Sequence, residues 1–537
     1  MKYPIGMQSF DQIREEGFVY VDKTDMVYQL ATQGKIYFLS RPRRFGKSLL
    51  ISTLENYFLG RKELFQGLAI DRLEQEWLTY PVFHVDFNGK VFTSPTELAQ
   101  TLETIVATGE DKYGKSPHAT TLGDRLAYVF EQAHAQTGRR VVMLVDEYDK
   151  PLLDVLGTHI PSPVVEGEIQ TLEDYNRELL KGFYSVFKLA DKHLRFVLLT
   201  GVTKFSQISV FSGFNQPADI SMDNRYEALC GITEKELYSV FAEPIRKLDA
   251  TYKVDETEMK QMLKQHYDGY HFSDNLLDIY NPFSLLNCFS SCSMRDFWFA
   301  SGTPTYLVHL LKHFKQNINE LIKDYHFPEE FIDYKADVEQ PLPMIFQSGY
   351  LTIKEADPLT GSYLLDFPNK EVQRGFVTLI ASSYLDTRTH SLSNWMLRSI
   401  RQLQQGKIQE FGEALTAFLA DIPYTMRRKD SERERERYFQ YTFFLLLRML
   451  SCFTVYIEKE QSQGRVDCIV EVPDYVYIFE FKLDGSAQEA LRQIEEKGYA
   501  RPYAADPRKL FRIGVNFSSE TGTISEFEVE RFTPHSS

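Results

Sequence analysis

Four short apolar runs in the first 240 or so residues constrain the fold of this chain more than any other feature. They are KIYFLS (Lys35–Ser40), PVFHVDF (Pro81–Phe87), VVMLVDEY (Val141–Tyr148) and RFVLLTG (Arg195–Gly201). Each is rich in β-branched or aromatic residues and is bounded by polar residues, proline or glycine, so each reads as a fully buried strand. Helical patterns such as Ser48–Leu59 and Leu122–Thr137 separate them. Continuously apolar strands that alternate with helices imply an α/β fold, a parallel sheet covered on both faces.

The pattern changes twice downstream. From about residue 230 to 400 it reads mainly helical, with YNPFSLLNCF (Tyr280–Phe289) placing Pro282 at a helix start. The alternating Arg/Glu run Arg427–Arg437 reads as a solvated helix start and is the clearest boundary signal. After about residue 440 an apolar helix leads into strand-like runs CFTVYIEK (Cys452–Lys459), RVDCIVEV (Arg465–Val472) and YVYIFEFKL (Tyr475–Leu483), a polar helix at Ser486–Lys497, and FRIGVNFS (Phe511–Ser518). The expected division is therefore an α/β domain over 1–230, a helical middle region over 231–425 and a smaller α/β domain over 426–537.

Composition excludes some functions. A net charge of −15 rules out a strongly basic overall surface, though not a local basic groove. The five cysteines include no CxxC pair; Cys288 and Cys292 lie four apart, but no nearby pair of His or Cys completes a zinc set. This usage suits a reducing, cytoplasmic setting. The N-terminus lacks an apolar core of signal-peptide length, and the most apolar stretch, Tyr441–Ile457, is interrupted by Arg448. That stretch reads as a buried helix followed by a strand, so no membrane partner is expected.

The first chemical signature is RPRRFGKS (Arg41–Ser48), which follows one strand and opens a helix. Strand, glycine-containing loop and Lys-Ser at a helix start are the context of a P-loop. Arg41 stands where the usual motif has glycine, and Pro42 has no N–H. The phosphate cradle is therefore expected from the amides of Arg43, Arg44, Phe45, Gly46, Lys47 and Ser48. Lys47 would reach the β- and γ-phosphates, and the Ser48 hydroxyl would ligate Mg²⁺. A second piece, VDEYD (Val145–Asp149), ends a strand in Asp146, which can hold the Mg²⁺ shell, and Glu147, which can orient or deprotonate the attacking water. Thr200 and Thr203, at the end of another strand, read either as γ-phosphate sensors or as caps of their own loop.

The second signature lies near the C-terminus. Glu480 and Lys482 alternate with Phe481, so they share one face of a strand, and Asp467 on the preceding strand can meet them. Two carboxylates can hold one or two Mg²⁺ ions, and a lysine beside them can assist a metal-bound water or a pentavalent phosphate. An ordinary edge strand with charged residues gives the same pattern. Here, however, the charges sit inside an apolar run, where an unpaired charge costs several kcal/mol, roughly.

These segments, with FVYVDKT (Phe18–Thr24), VDEYDKPL (Val145–Leu152), TGVTKFS (Thr200–Ser206), YNPFS (Tyr280–Ser284) and FASGTPTYL (Phe299–Leu307), resemble the bacterial AAA-ATPase-like family that carries a C-terminal nuclease-like domain. The resemblance covers nearly the whole chain. It implies that Arg41 is normal at its position, that FVYVDKT lies near the nucleotide base with Tyr20 and Lys23 as candidates, and that the base is adenine. No Asn-Lys-x-Asp run of the guanine-reading type occurs. The arrangement of Asp467, Glu480 and Lys482 is similar to the PD-(D/E)xK phosphodiesterase superfamily, whose Gln-and-Tyr helix is matched by Gln493, Lys497 and Tyr499. Glu436 matches an extra acidic ligand of some members, with Glu432 and Glu434 competing. The implied activity is an ATP-regulated, Mg²⁺-dependent nuclease acting on DNA or RNA; the alternative is a nucleotide-switched binding protein whose nuclease fold does not cut. Arg43, Arg44 and Arg195 are candidate arginine fingers.

Overall fold

Val141–Asp146 is six residues long and every one of them is buried, a state open only to a strand flanked on both sides and covered on both faces. It is the second strand of a five-stranded parallel sheet. We number these strands β1 (Ile36–Ser40), β2 (Val82–Asp86), β3 (Val141–Asp146), β4 (Leu194–Gly201) and β5 (Ala218–Asp219); their order is β2-β3-β4-β1-β5. The registers Leu39↔Thr200, Ser40↔Gly201, Val145↔Leu199 and Asp86↔Asp146 bring the C-terminal ends of β1, β3 and β4 side by side. Helix α1 (Lys47–Phe58) follows β1 directly and buries Leu50, Ile51, Leu54 and Phe58. Helix α2 (Leu122–Thr137) starts at Thr121, whose side chain accepts from the Asp124 N–H, and stops at left-handed Gly138.

This structure is a computed structural model, and it describes residues 1–166, 169–204, 217–300, 325–332, 341–385, 389–421, 442–443, 446–447, 453–461 and 464–532. The chain forms two compact units, Met1–Val372 and Gln373–Ser537. Ser206, most of FASGTPTYL, the Arg427–Arg437 run with Glu432, Glu434 and Glu436, the 425/426 boundary, Arg448 and Cys452 lie outside the described residues.

Two expectations about the first unit change. Pro81–Phe87 does not yield a fully buried strand: β2 is a sheet edge, and His84 and Asp86 along it are exposed. An apolar run does not reveal whether it has one neighbour or two. The helical stretch also holds strands, because Tyr325–His326, Ser362–Asp366 and Thr352–Asp357 form a small antiparallel sheet. Its helices share a core of Leu237, Phe241, Leu248, Leu263, Tyr267 and Leu285. Helix α3 (Pro282–Ser291) begins as the sequence implies: Asn281 caps it by accepting from the N–H groups of Phe283 and Ser284, and Pro282 takes a position that needs no donor.

The second unit has a mixed sheet in chain order: β6 (Thr454–Gln461), β7 (Gly464–Glu471), β8 (Tyr475–Leu483), β9 (Lys509–Ser518) and β10 (Thr523–Phe532). Neighbours are antiparallel except β8 and β9, which run parallel because helix α4 (Ala487–Glu496) crosses between them. Strand β10 carries four charged side chains in TISEFEVERF and was not anticipated, since its polar residues mask the strand period. Gly514 on β9 lies opposite Glu480 and under the Ala487 carbonyl, where any side chain would displace α4. Among the described residues no helix is long and apolar enough to cross a membrane, and Cys230, Cys288, Cys292 and Cys468 are unbridged.

Asp268 is one of the buried carboxyls that make the first unit pH-sensitive. Asp268 is fully buried, neither oxygen has a hydrogen-bond partner, and Lys264 is 3.8 Å away. Burial, with the Asp278 charge adding, pushes its carboxyl up to about 7. Between the unfolded value near 4 and this raised value the native state binds the extra proton, so stability falls as pH rises. Urea titrations from pH 4 to 8 should show a decline of at most about 1.4 kcal/mol per unit from this group. Asp268→Asn should remove this contribution and leave that of Glu371, whose carboxyl is also raised.

Candidate functional site

At the C-terminal end of the first sheet the chain turns sharply twice. Arg44 has φ 69° and Gly46 φ 97°, left-handed values that turn the loop into the first turn of α1. Beside it, Glu147 at the tip of β3 also takes a positive φ, 50°, a strained conformation for a residue with a side chain. A cavity of about 500 Å³ opens here, large enough for a nucleotide, and Arg43, Arg44, Gly46, Lys47, Ser48 and Glu147 all line it.

Each loop side chain has a distinct part. Lys47 is buried and donates to the carbonyls of Arg41 and Pro42 at 2.9 and 3.2 Å. Arg44 is exposed, its guanidinium 5.1 Å from the Phe283 ring on α3. Phe45 is 1% exposed and packs edge-on against Tyr270 and Phe272, so it anchors the loop and only its amide is available to a ligand. Arg41, the departure from the usual motif, is a structural clamp. Its guanidinium donates to the carbonyls of Ser40, Ser221 and Tyr226 and lies 4.2 Å from the Phe272 ring. Burial lowers it to about 10.

The acidic motif on β3 and the threonine motif on β4 interlock. Thr200 is fully buried and donates to Asp146 at 2.6 Å, so it positions that carboxylate from beneath. Asp149 takes the N–H groups of Val202 and Thr203 at 3.0 and 2.7 Å and the Thr203 hydroxyl at 2.8 Å. Tyr148 donates its N–H to the Thr200 carbonyl and its hydroxyl to the Thr203 carbonyl. Gly201 is glycine because a Cβ would come within 2.7 Å of Asp149 and the Tyr148 ring. Burial, with the charges of Asp149 and Asp146 adding, holds the Glu147 carboxyl above its usual range, while Lys47 and Arg43 oppose the shift. Asp146 is 1% exposed and does not line the cavity, whereas Glu147 does.

Some expected residues lie elsewhere. Tyr20 and Lys23 do not line the cavity: Tyr20 packs against Phe10, and Lys23 pairs with Glu236 at 2.6 Å. The turn Pro4–Met7, with Gly6 at φ 73°, lines it instead. Arg195 sits at the start of β4, the end remote from the loop, near Tyr80. Asp149 and Trp298 were not singled out from the sequence. Asp149 was within the quoted acidic motif; Trp298 had no local signal.

In the second unit, the ladder between β7 and β8 ends at Cys468↔Phe479, and side chains take over. Asp467 accepts the Phe481 N–H at 2.9 Å, and its own N–H points to Glu480 at 3.5 Å. Gln493 on α4 bridges the pair on β8: its amide donates to Glu480 and accepts from Lys482 at 2.6 Å. Phe481 faces the other way, 4.3 Å from the Phe443 ring. Tyr499 donates to the Arg465 carbonyl at 2.9 Å, and Lys497 is exposed. Burial, with the Asp467 charge adding, raises the Glu480 carboxyl well above its usual range. Among the described residues no group of three acidic, His or Cys side chains could hold a metal. Two adjacent hard oxygen donors still suit Mg²⁺, which often binds through one or two carboxylates and keeps its waters.

The first unit thus has the make-up of a P-loop ATPase-like domain, and the second unit that of a nuclease-type α/β domain. The comparisons agree: residues 4–211 match the family described as "Predicted AAA-ATPase", and residues 434–527 match the PD-(D/E)XK nuclease superfamily. The chain is 35% identical over 541 residues to the "Uncharacterized protein in vnfD 5'region" of Azotobacter chroococcum mcd 1, across 98% of this chain and 99% of that protein. It belongs to the AAA-ATPase-like family, and its C-terminal part to the PD-(D/E)XK nuclease superfamily.

The clamp role of Arg41 predicts that Arg41→Gly, which restores the usual motif, weakens the protein. Three carbonyls would lose a charged donor, and urea melts should show a loss of about 2–4 kcal/mol.

Proposed function

We propose that the chain binds and hydrolyses ATP in its first unit and cleaves nucleic-acid phosphodiesters with Mg²⁺ in its second. The supporting observation is the meeting of Lys47, Ser48 and Glu147 around one cavity, with Asp146 held by Thr200 directly behind Glu147 in the chain. Amides 43–48 bind the phosphates, and Lys47 exchanges its loop carbonyls for phosphate oxygens. Ser48 would hold Mg²⁺ and Asp146, behind the cavity wall, its water shell; the ion would neutralise charge on the phosphates. Glu147, with its raised carboxyl, takes the proton of the attacking water as the bond between the γ-phosphorus and the leaving ADP oxygen breaks.

In the second unit, Asp467 and Glu480 would hold Mg²⁺, which supplies an activated water and charge neutralisation. Lys482 stabilises the phosphate as negative charge develops on it, and Gln493 keeps Lys482 and Glu480 apart but aligned. Adenine as the base rests on family membership.

Calorimetry with Mg²⁺-ATP should give a binding heat that Lys47→Ala reduces at least about a hundredfold in affinity, while Glu147→Gln keeps binding and loses about 10²–10⁴ in turnover. Absence of any ATP or GTP heat from wild type would sink the first half. For the second half, DNA and RNA incubated with Mg²⁺ and ATP should be cut by wild type and not by Asp467→Ala. If neither protein cuts, and Glu480→Ala binds Mn²⁺ as well as wild type, the second unit is a binding module.

A further inference from the structure

The loop that would wrap the phosphates is tied down from outside its own motif. The indole N–H of Trp298 donates to the Arg43 carbonyl at 3.0 Å. The backbone N–H of Trp298 in turn donates to Glu371 at 2.6 Å. Both residues are buried, at 6% and 1% exposure, and Trp298 also lines the cavity beside Tyr350, whose ring is 5.1 Å away.

The bond to Arg43 matters because of what the loop lacks. Pro42 has no N–H, and the Arg41 N–H is already given to the Gly201 carbonyl at 3.2 Å. The cradle must therefore begin at residues 43 and 44. A trans peptide is planar, with its C=O and N–H on opposite sides. Anchoring the Arg43 carbonyl thus fixes the direction of the Arg44 N–H, at a residue whose φ of 69° leaves it otherwise strained.

Glu371 supplies the other end. It lies in the first turn of helix Lys370–Leu385, which runs on past Val372, the last residue of the first unit. That helix start is itself pinned: Asn369 accepts the Val372 N–H at 3.1 Å and donates to the Asp268 carbonyl at 2.8 Å. Burial pushes the Glu371 carboxyl up to about 8, so it holds a proton at neutral pH and acts as a neutral acceptor.

We infer that Trp298 and Glu371 are positioning residues for the nucleotide phosphates: Glu371 holds Trp298, and Trp298 holds the Arg43–Arg44 peptide in the orientation the cradle requires. This rests on the ATP reading given above. It also makes ATP affinity and the seating of the helix start at Lys370 reciprocal, since each biases the same strut.

The test uses the full chain with Mg²⁺-ATP and Mg²⁺-tripolyphosphate in calorimetry. Trp298→Phe keeps an aromatic ring and removes the N–H donor; it should weaken both ligands about five- to tenfold while the unliganded melting midpoint stays within about 2 °C. Glu371→Gln keeps a neutral acceptor and should bind like wild type, whereas Glu371→Leu should match Trp298→Phe. ATP should slow amide exchange at residues 370–376 in wild type and not in Trp298→Phe. The inference is overturned if Trp298→Phe binds both ligands as wild type does, or if Glu371→Gln and Glu371→Leu lose affinity equally with a fallen midpoint. Should Lys47→Ala still lose affinity in that event, the strut fails while the P-loop reading stands.

Discussion

One carboxylate oxygen of Asp149 takes three hydrogen bonds, from two backbone amides and one hydroxyl of residues 202–203. The other oxygen is buried without a hydrogen-bond partner and burial raises the carboxyl, so these three bonds are what offsets its desolvation, and they fasten the tip of β3 to the segment leaving β4. The neighbouring Asp146–Thr200 bond acts at the last residue of β3, just before Glu147. With both in place, Glu147 is left on the cavity side in a strained conformation that neither strand would choose alone. The loop, the acidic motif and the threonine motif therefore work as one assembly, although some 100–160 residues of chain separate their ends.

The second unit solves a similar problem with different parts. Glu480 is buried in an apolar sheet beside Asp467; burial first, and the Asp467 charge second, raises its carboxyl. Gln493 reaches Glu480 and Lys482 because Gly514 lets α4 settle close to β9. The amide satisfies Glu480 and Lys482 without adding charge, and leaves the carboxylates available to a cation. The hydrogen bonds of the site thus depend on a glycine on a different strand, opposite Glu480.

Much of the framework was legible in the chain. The runs at 36–40, 141–146 and 475–483 became strands, and the 122–137 pattern became a helix with the same ends. Residues drawn together by one motif were also legible: Arg43 to Ser48 share a loop, and Glu480 with Lys482 share a strand face. What escaped had physical reasons. Strand β10 carries charges that disguise its period, and β5 is two residues long, too short for any pattern. Edge position for β2 follows from strand order, which no local run encodes. Lys23 does not line the cavity because a part-buried ion pair with Glu236, 213 residues distant, holds it elsewhere, and Tyr20 packs against Phe10.

By itself the sequence determined the element types and the chemistry on offer: a lysine and serine at a helix start, an acidic strand tip, and two carboxylates with a lysine in an apolar strand. Those are local properties, set by side-chain periodicity and backbone preference. Only the tertiary structure decided that Arg41 clamps carbonyls of distant segments, that Thr200 serves Asp146, and that Trp298 reaches the Arg43 carbonyl from 255 residues away. Such contacts arise where buried polar groups must find partners, and which partners are near depends on how the strands and helices pack.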